Sequence, residues 1–131
     1  MSKNILGIDY GSKKTGLAIS QDSSLPLGFK TISGNKQEII KQIKQITAQH
    51  SIKLIVLGLP ESEKFNQPES QKHKITQFKN QLAKAVPQIK IETADERMSS
   101  KLAGRYSDKE KEHQEAARII LEDWMRKGAD K

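Results

Sequence analysis

Short apolar runs and helically spaced apolar positions alternate along this chain. Ile5–Asp9 and Thr15–Ser20 read as two strands, and the step Gly11–Lys14 between them suits a hairpin turn. A third short strand near Gly28–Ser33 follows Pro26, so the first three strands form an antiparallel meander. Ile39, Ile43 and Ile46, with Ile40 beside them, then recur at helical spacing. Asn35 followed by Glu38 marks the start of that helix, because the Asn oxygen accepts from backbone N–H groups that lack helical partners. The run LIVLGLP reads as a strand buried on both faces and ended by Pro60. Pro68 opens a second helix with Ile75, Phe78 and Leu82 inward, and Pro87 ends it. Ile89–Thr93 is the last strand and runs into ADER. Ser107 with Glu110 marks the start of a closing helix that reaches Lys127. The predicted order is β-β-β-α-β-α-β-α, an α/β fold with a mixed sheet and helices on both faces.

Length and composition narrow the class. The 131 residues fit one domain, 1–131, with a substantial core. The absence of cysteine excludes disulfides and thiolate metal sites and suits a reducing compartment. No apolar stretch approaches the roughly 20 residues of a spanning helix. Asp9 interrupts the first apolar run too early for a signal peptide. A soluble cytoplasmic protein without a membrane partner is the expectation. The formal net charge is +7, and the excess of Lys and Arg lies in the first ninety residues. Such a surface favours a polyanion, of which nucleic acid is the commonest; ordinary solubilising lysine is the plainer reading.

Three places carry candidate chemistry. Asp9 lies at the end of the first strand, where an ionised carboxylate is costly unless paired. It is either a turn aspartate accepting from the N–H groups of Gly11 and Ser12, or a ligand. The turn after it holds Lys13 and Lys14, and Gly11 and Gly16 let backbone approach a phosphate. It is not a P-loop, because Leu17 and Ala18 stand where Lys and Ser/Thr are required. ADER places Asp95, Glu96 and Arg97 at the end of the last strand, as a local ion pair or as part of a site at the sheet edge. On the last helix His113 sits at the centre of the apolar stripe, with Ala117, Ile120 and Trp124 within about 40° of it on a helical wheel. Glu115 points away to water on the same wheel, and Glu110 lies on the stripe one turn earlier. His113 is either a rim histidine bonded to a backbone carbonyl or an imidazole facing Asp9 and Glu96.

LGIDYGSKKTGLAIS, LIVLGLP, DERMSSKLA and EAARIILEDW, in this order, resemble the four blocks of the YqgF/RuvX family, whose members are described as Holliday junction resolvases and as pre-16S rRNA nucleases. The resemblance implies an RNase H-like fold with a mixed five-stranded sheet. Asp9 matches the family's first-strand aspartate, and Glu96 matches the glutamate of its Asp-Glu-Arg block. Three residues before the Ala-Ala pair the family usually has aspartate, and this chain has His113. The implied site is Asp9, Glu96 and His113 around one or two divalent cations, Mg²⁺ or Mn²⁺, with imidazole suiting Mn²⁺ better than Mg²⁺. Lys13, Lys14 and Arg97 would hold the phosphate backbone. The implied activity is a metal-dependent endonuclease acting on pre-16S rRNA in ribosome biogenesis, with the ribosome or its precursor as a partner, or on branched DNA. Two rival readings stand beside it. One is an RNA- or ribosome-binding module that lost its metals, which the His113 departure favours. The other is an ATPase-like domain, since Asp-x-Gly-Ser before Lys resembles actin-type phosphate loops; those folds need two large lobes.

Overall fold

The computed structural model describes residues 4–11, 14–22, 25–59, 69–95 and 109–128. These form β1 (Asn4–Tyr10), β2 (Lys14–Ser20), β3 (Leu27–Ser33), α1 (Lys36–Gln49), β4 (Ile52–Leu59), α2 (Glu69–Ala85), β5 (Lys90–Asp95) and α3 (Lys109–Gly128). The element order is the predicted one. The five strands make one sheet in the order β3-β2-β1-β4-β5. β1, β2 and β3 pair antiparallel as a meander, whereas β4 runs parallel to β1 and β5 runs parallel to β4. The carboxyl ends of β1, β4 and β5 therefore lie on the same edge, which is where sites form in such sheets.

Local chemistry explains the boundaries. Gly34 takes φ +133°, a conformation strained for any side chain, and so turns the chain out of β3. Asn35 then caps α1 reciprocally. Its Oδ1 accepts from the Glu38 N–H at 2.9 Å, and its own N–H donates to Glu38 Oε1 at 2.9 Å. Pro87 follows the end of α2 by two residues. Pro60, Pro68 and Ser107 lie outside the described residues.

Strand alternation divides the core into two. Leu6 and Ile8 of β1, Leu17 of β2, and Ile55 and Leu57 of β4 pack against Ile39, Ile43 and Ile46 of α1 and Ile75, Phe78 and Leu82 of α2. On the other face Ile5, Leu54 and Val56 meet Ile120 and Leu121 of α3, with Trp124 half-buried against them. β4 is thus buried on both sides, as its unbroken apolar run predicts. Each fully buried Ile, Leu or Phe contributes about 1.5–3 kcal/mol from burial.

Tyr10, the last residue of β1, stacks on Phe78 of α2, with ring centroids 4.0 Å apart and planes 12° from parallel. Burial holds its phenol above the ordinary value, so it stays neutral at physiological pH. Beside it Thr15 pairs with Tyr10 across β1 and β2 and is 1% exposed. The Thr15 hydroxyl has no hydrogen-bond partner among the described residues. A buried unpaired hydroxyl costs about 1–3 kcal/mol. Thr15→Val, which keeps the shape and removes that group, is therefore expected to raise stability by about 1 kcal/mol in urea denaturation. A clear loss would show that the hydroxyl is bonded.

Candidate functional site

Asp9 lies half-buried near the end of β1, on the face that the pleat gives to Ile5 and Gly7, the face covered by α3. Both flanking strands place a glycine beside it. Gly16 is its partner on β2. On β4, Gly58 follows Leu57, the partner of Ile8. Neither Gly16 nor Gly58 contributes a side chain beside the carboxylate.

The last helix uses the β2 side of this space. A Cβ added to Gly16 would overlap the carbonyl group of His113. At Gly7 an added Cβ would come within 2.9 Å of Leu121 Cβ and 3.1 Å of the Ala117 carbonyl oxygen. Here α3 rests on strand backbone, and the turn that carries His113 sits directly against the strand next to Asp9. Ala116, Ala117, Ile120 and Leu121 are buried along that side of the helix, as the helical wheel predicts. His113 itself is half-buried, because α3 there overlies the sheet edge at the start of β2.

The remaining expectations divide. Asp95 is the last residue of β5 and pairs with Leu59, directly after the Gly58–Ala94 pair. It lies two strands from Asp9, about 10 Å away at the usual strand spacing. Lys14 is half-buried at the start of β2. Lys13, Glu96 and Arg97 lie outside the described residues, and Glu110 is in α3. Among the described residues no three acidic or histidine side chains cluster as metal ligands. The two groups that are brought to one edge, a carboxylate and an imidazole-bearing turn, are of the types that bind divalent cations.

Two findings differ from the sequence reading. Glu115 does not point to water. It accepts from Arg118 Nε at 2.6 Å, and its side chain is only 19% exposed, because α3 also crosses β3 and leaves that flank beside Gly28. Glu122 accepts from Arg118 Nη1 at 2.9 Å. Burial alone would lower the Arg118 guanidinium, but Glu115 and Glu122 together hold it above its ordinary value. The second difference is Gly16. The sequence reading assigned it to phosphate approach, whereas its open side receives the helix. The signal available was the small-residue series Gly16, Ala18, Ser20 on alternate positions of β2, opposite Gly7 on β1.

The profile of RuvX, Holliday junction resolvase, matches residues 3–127. The chain belongs to the RuvX family. A relative from Orientia tsutsugamushi (strain Ikeda), named "Putative pre-16S rRNA nuclease", is 39% identical over 105 residues, 79% of this chain and 65% of the relative. The chain thus spans just under two thirds of that protein's length. A relative of the same name from Synechocystis sp. is 33% identical over 138 residues, 95% of this chain and 90% of its own. T. thermophilus RuvC, solved in complex with Holliday junction substrate, superposes with a TM-score of 0.62 at 14% identity over 96% of both chains. That likeness establishes the RuvC-like RNase H fold of this RuvX-family chain.

The seating of α3 predicts unequal costs for two glycines. Gly16→Ala forces helix backbone to move and is expected to cost about 1–3 kcal/mol in denaturation. Gly28→Ala meets Gln114 Cβ at 3.1 Å, a contact relieved by a shift of a few tenths of an ångström, and should cost clearly less. Equal effects would show that α3 is not held at Gly16.

Proposed function

We propose that this RuvX-family chain is a divalent-metal-dependent endonuclease that hydrolyses phosphodiester bonds in nucleic acid, with the 5′ end of pre-16S rRNA as its substrate in ribosome biogenesis. The observation that carries the reading is Asp9, set between Gly16 and Gly58 at the edge where three parallel strands end, with the His113 turn of α3 packed beside it. The names of the relatives support the substrate.

In this reading Asp9, Glu96 and His113 would hold one or two divalent cations, Mg²⁺ or Mn²⁺, which would supply Lewis acidity for activating water and stabilising the leaving oxygen. Asp9 fixes the position of attack, because its strand is held rigidly in the middle of the sheet. Gly58 lets the scissile phosphate come close to backbone without a side chain in the way, while Gly16 seats the His113 turn beside Asp9. Lys14, with Lys13 and Arg97, holds the neighbouring phosphates and orients the strand for in-line attack, a role that carries no sequence information. Water adds to phosphorus, the bond to the 3′ oxygen breaks, and the product carries a 5′ phosphate. Tyr10 stays neutral and so adds no repulsion toward the phosphate.

The test is cleavage of labelled pre-16S rRNA and four-way DNA junctions with Mg²⁺ or Mn²⁺, beside Asp9→Asn. Loss of a partner to a metal ligand costs 10–100-fold, so loss of the ligand itself should cost more than about 100-fold. RNA should be cut and the junction spared. Cleavage that survives Asp9→Asn overturns the metal site, and junction cleavage alone transfers the reading to a resolvase. RNA binding without cleavage, indifferent to Asp9→Asn, would establish the binding-module reading instead. His113→Asp is expected to raise Mg²⁺-supported relative to Mn²⁺-supported cleavage, because oxygen replaces nitrogen in the ligand set. An unchanged ratio removes His113 from it.

A further inference from the structure

The two helical layers differ in charge. Along α3, acidic and basic residues alternate, and Arg118 is paired with both Glu115 and Glu122. α1 and α2 carry one acidic residue each, Glu38 and Glu69, both in the first turn. No Asp or Glu occurs from Ile39 to Pro60 or from Ser70 to Ile91, while lysine recurs through both stretches. With Ile39, Ile43 and Ile46 turned inward, Lys41 and Lys44 are exposed on the outer side of α1. With Ile75, Phe78 and Leu82 turned inward, Gln77, Asn80 and Lys84 are exposed on α2 at i, i+3 and i+7. The two helices pack side by side on one face of the sheet, so these residues form one surface. None of the described ion pairs neutralises Lys41, Lys44 or Lys84. This surface is on the opposite side of the sheet from the face that carries Asp9.

We infer that the outer surface of α1 and α2 is a second nucleic-acid contact, which docks the phosphate–sugar backbone of double-stranded RNA away from the cleavage edge. The inference rests on the nuclease reading for its choice of RNA. The side chains fit a duplex better than a single strand. Lysines supply charge, and the amides of Gln and Asn can both donate to phosphate and bond the 2′-hydroxyl. The outward positions carry no Phe, Tyr or Trp on which unpaired bases could stack. Helices of 14 and 17 residues extend about 21 and 26 Å at 1.5 Å per residue, long enough to follow a groove. A helical stem bound here would extend around the molecule toward the edge where its flanking strand is cut.

The test is equilibrium binding of a labelled RNA duplex to the full chain over a range of salt, comparing wild type with the triple variant Lys41→Gln, Lys44→Gln and Lys84→Gln. Arg126→Gln, an exposed position on α3, is the matched control. Each lost phosphate contact should lower the slope of log K against log salt by about 0.7–0.9. The triple variant should therefore lose about two units of slope and bind at least about tenfold more weakly, with unchanged thermal unfolding and unchanged cleavage of a substrate too short to leave the catalytic edge. Arg126→Gln should do neither. Wild-type affinity and slope in the triple variant overturn the inference, as does a loss seen with duplex DNA and not with duplex RNA. Binding can be read in Asp9→Asn protein, so a failure here is distinguishable from a failure of the nuclease reading.

Discussion

Backbone-to-backbone contact between α3 and the β1–β2 pair determines where the site can be. The carbonyl of His113 occupies the place that a side chain at residue 16 would need, and Leu121 and Ala117 close on Gly7 in the same way. These two seats are eight residues apart on the helix, about 12 Å at 1.5 Å per residue. A rigid rod held at two points that far apart has little freedom to tilt. The distance from the His113 turn to Asp9 is therefore a property of two glycines, not of any interaction between the two side chains. Close packing of this kind transmits change, because a core at crystal-like density has no slack to absorb an added methyl.

The two faces of the sheet meet different requirements. On the α1/α2 side, branched aliphatic residues of two helices interlock with Leu6, Ile8, Ile55 and Leu57, and the layer is thick. On the α3 side small residues bring one helix close, and only Ile120, Leu121 and their neighbours fill the gap toward β4. The thick layer supplies most of the apolar burial. The thin layer gives up burial for proximity, placing a helical turn beside a strand carboxylate. The same division appears in charge. α3 is internally neutralised around Arg118, whereas lysines outnumber acidic residues in the helices of the thick layer.

Periodicity in the sequence was sufficient for the element order, the capping box at Asn35 and the two-sided burial of β4, because each depends on residues close together in the chain. β1, β4 and β5 run parallel, so Asp9 and Asp95 both stand at the edge where these strands end. Glu115 and Gly16 were misread for the same reason. A helical wheel gives the direction in which a residue points and does not give what lies there, and β3 covers the flank that Glu115 occupies. Gly16 was read from its neighbours in the turn, whereas the group that needs its missing side chain belongs to the last helix. Contacts made across the whole length of the chain leave no periodic trace at either end.

His113 in place of the family's aspartate changes the charge balance as well as the ligand type. Asp9 and Glu96 bring two negative charges to the proposed site, where three carboxylates would bring three. Fewer charges hold a second dication less tightly, and they also repel an incoming phosphate less. A chain with that balance gains from holding RNA by contacts elsewhere, since a substrate retained near the edge raises the local concentration of scissile phosphate without tightening the metal site. The RNA contact proposed for the lysines of α1 and α2 would supply that capacity. In the proposed reading the charge balance at Asp9 and the basic outer face of α1 and α2 are two parts of one electrostatic arrangement, in which the helices would supply affinity and Asp9 the positioning of one phosphodiester.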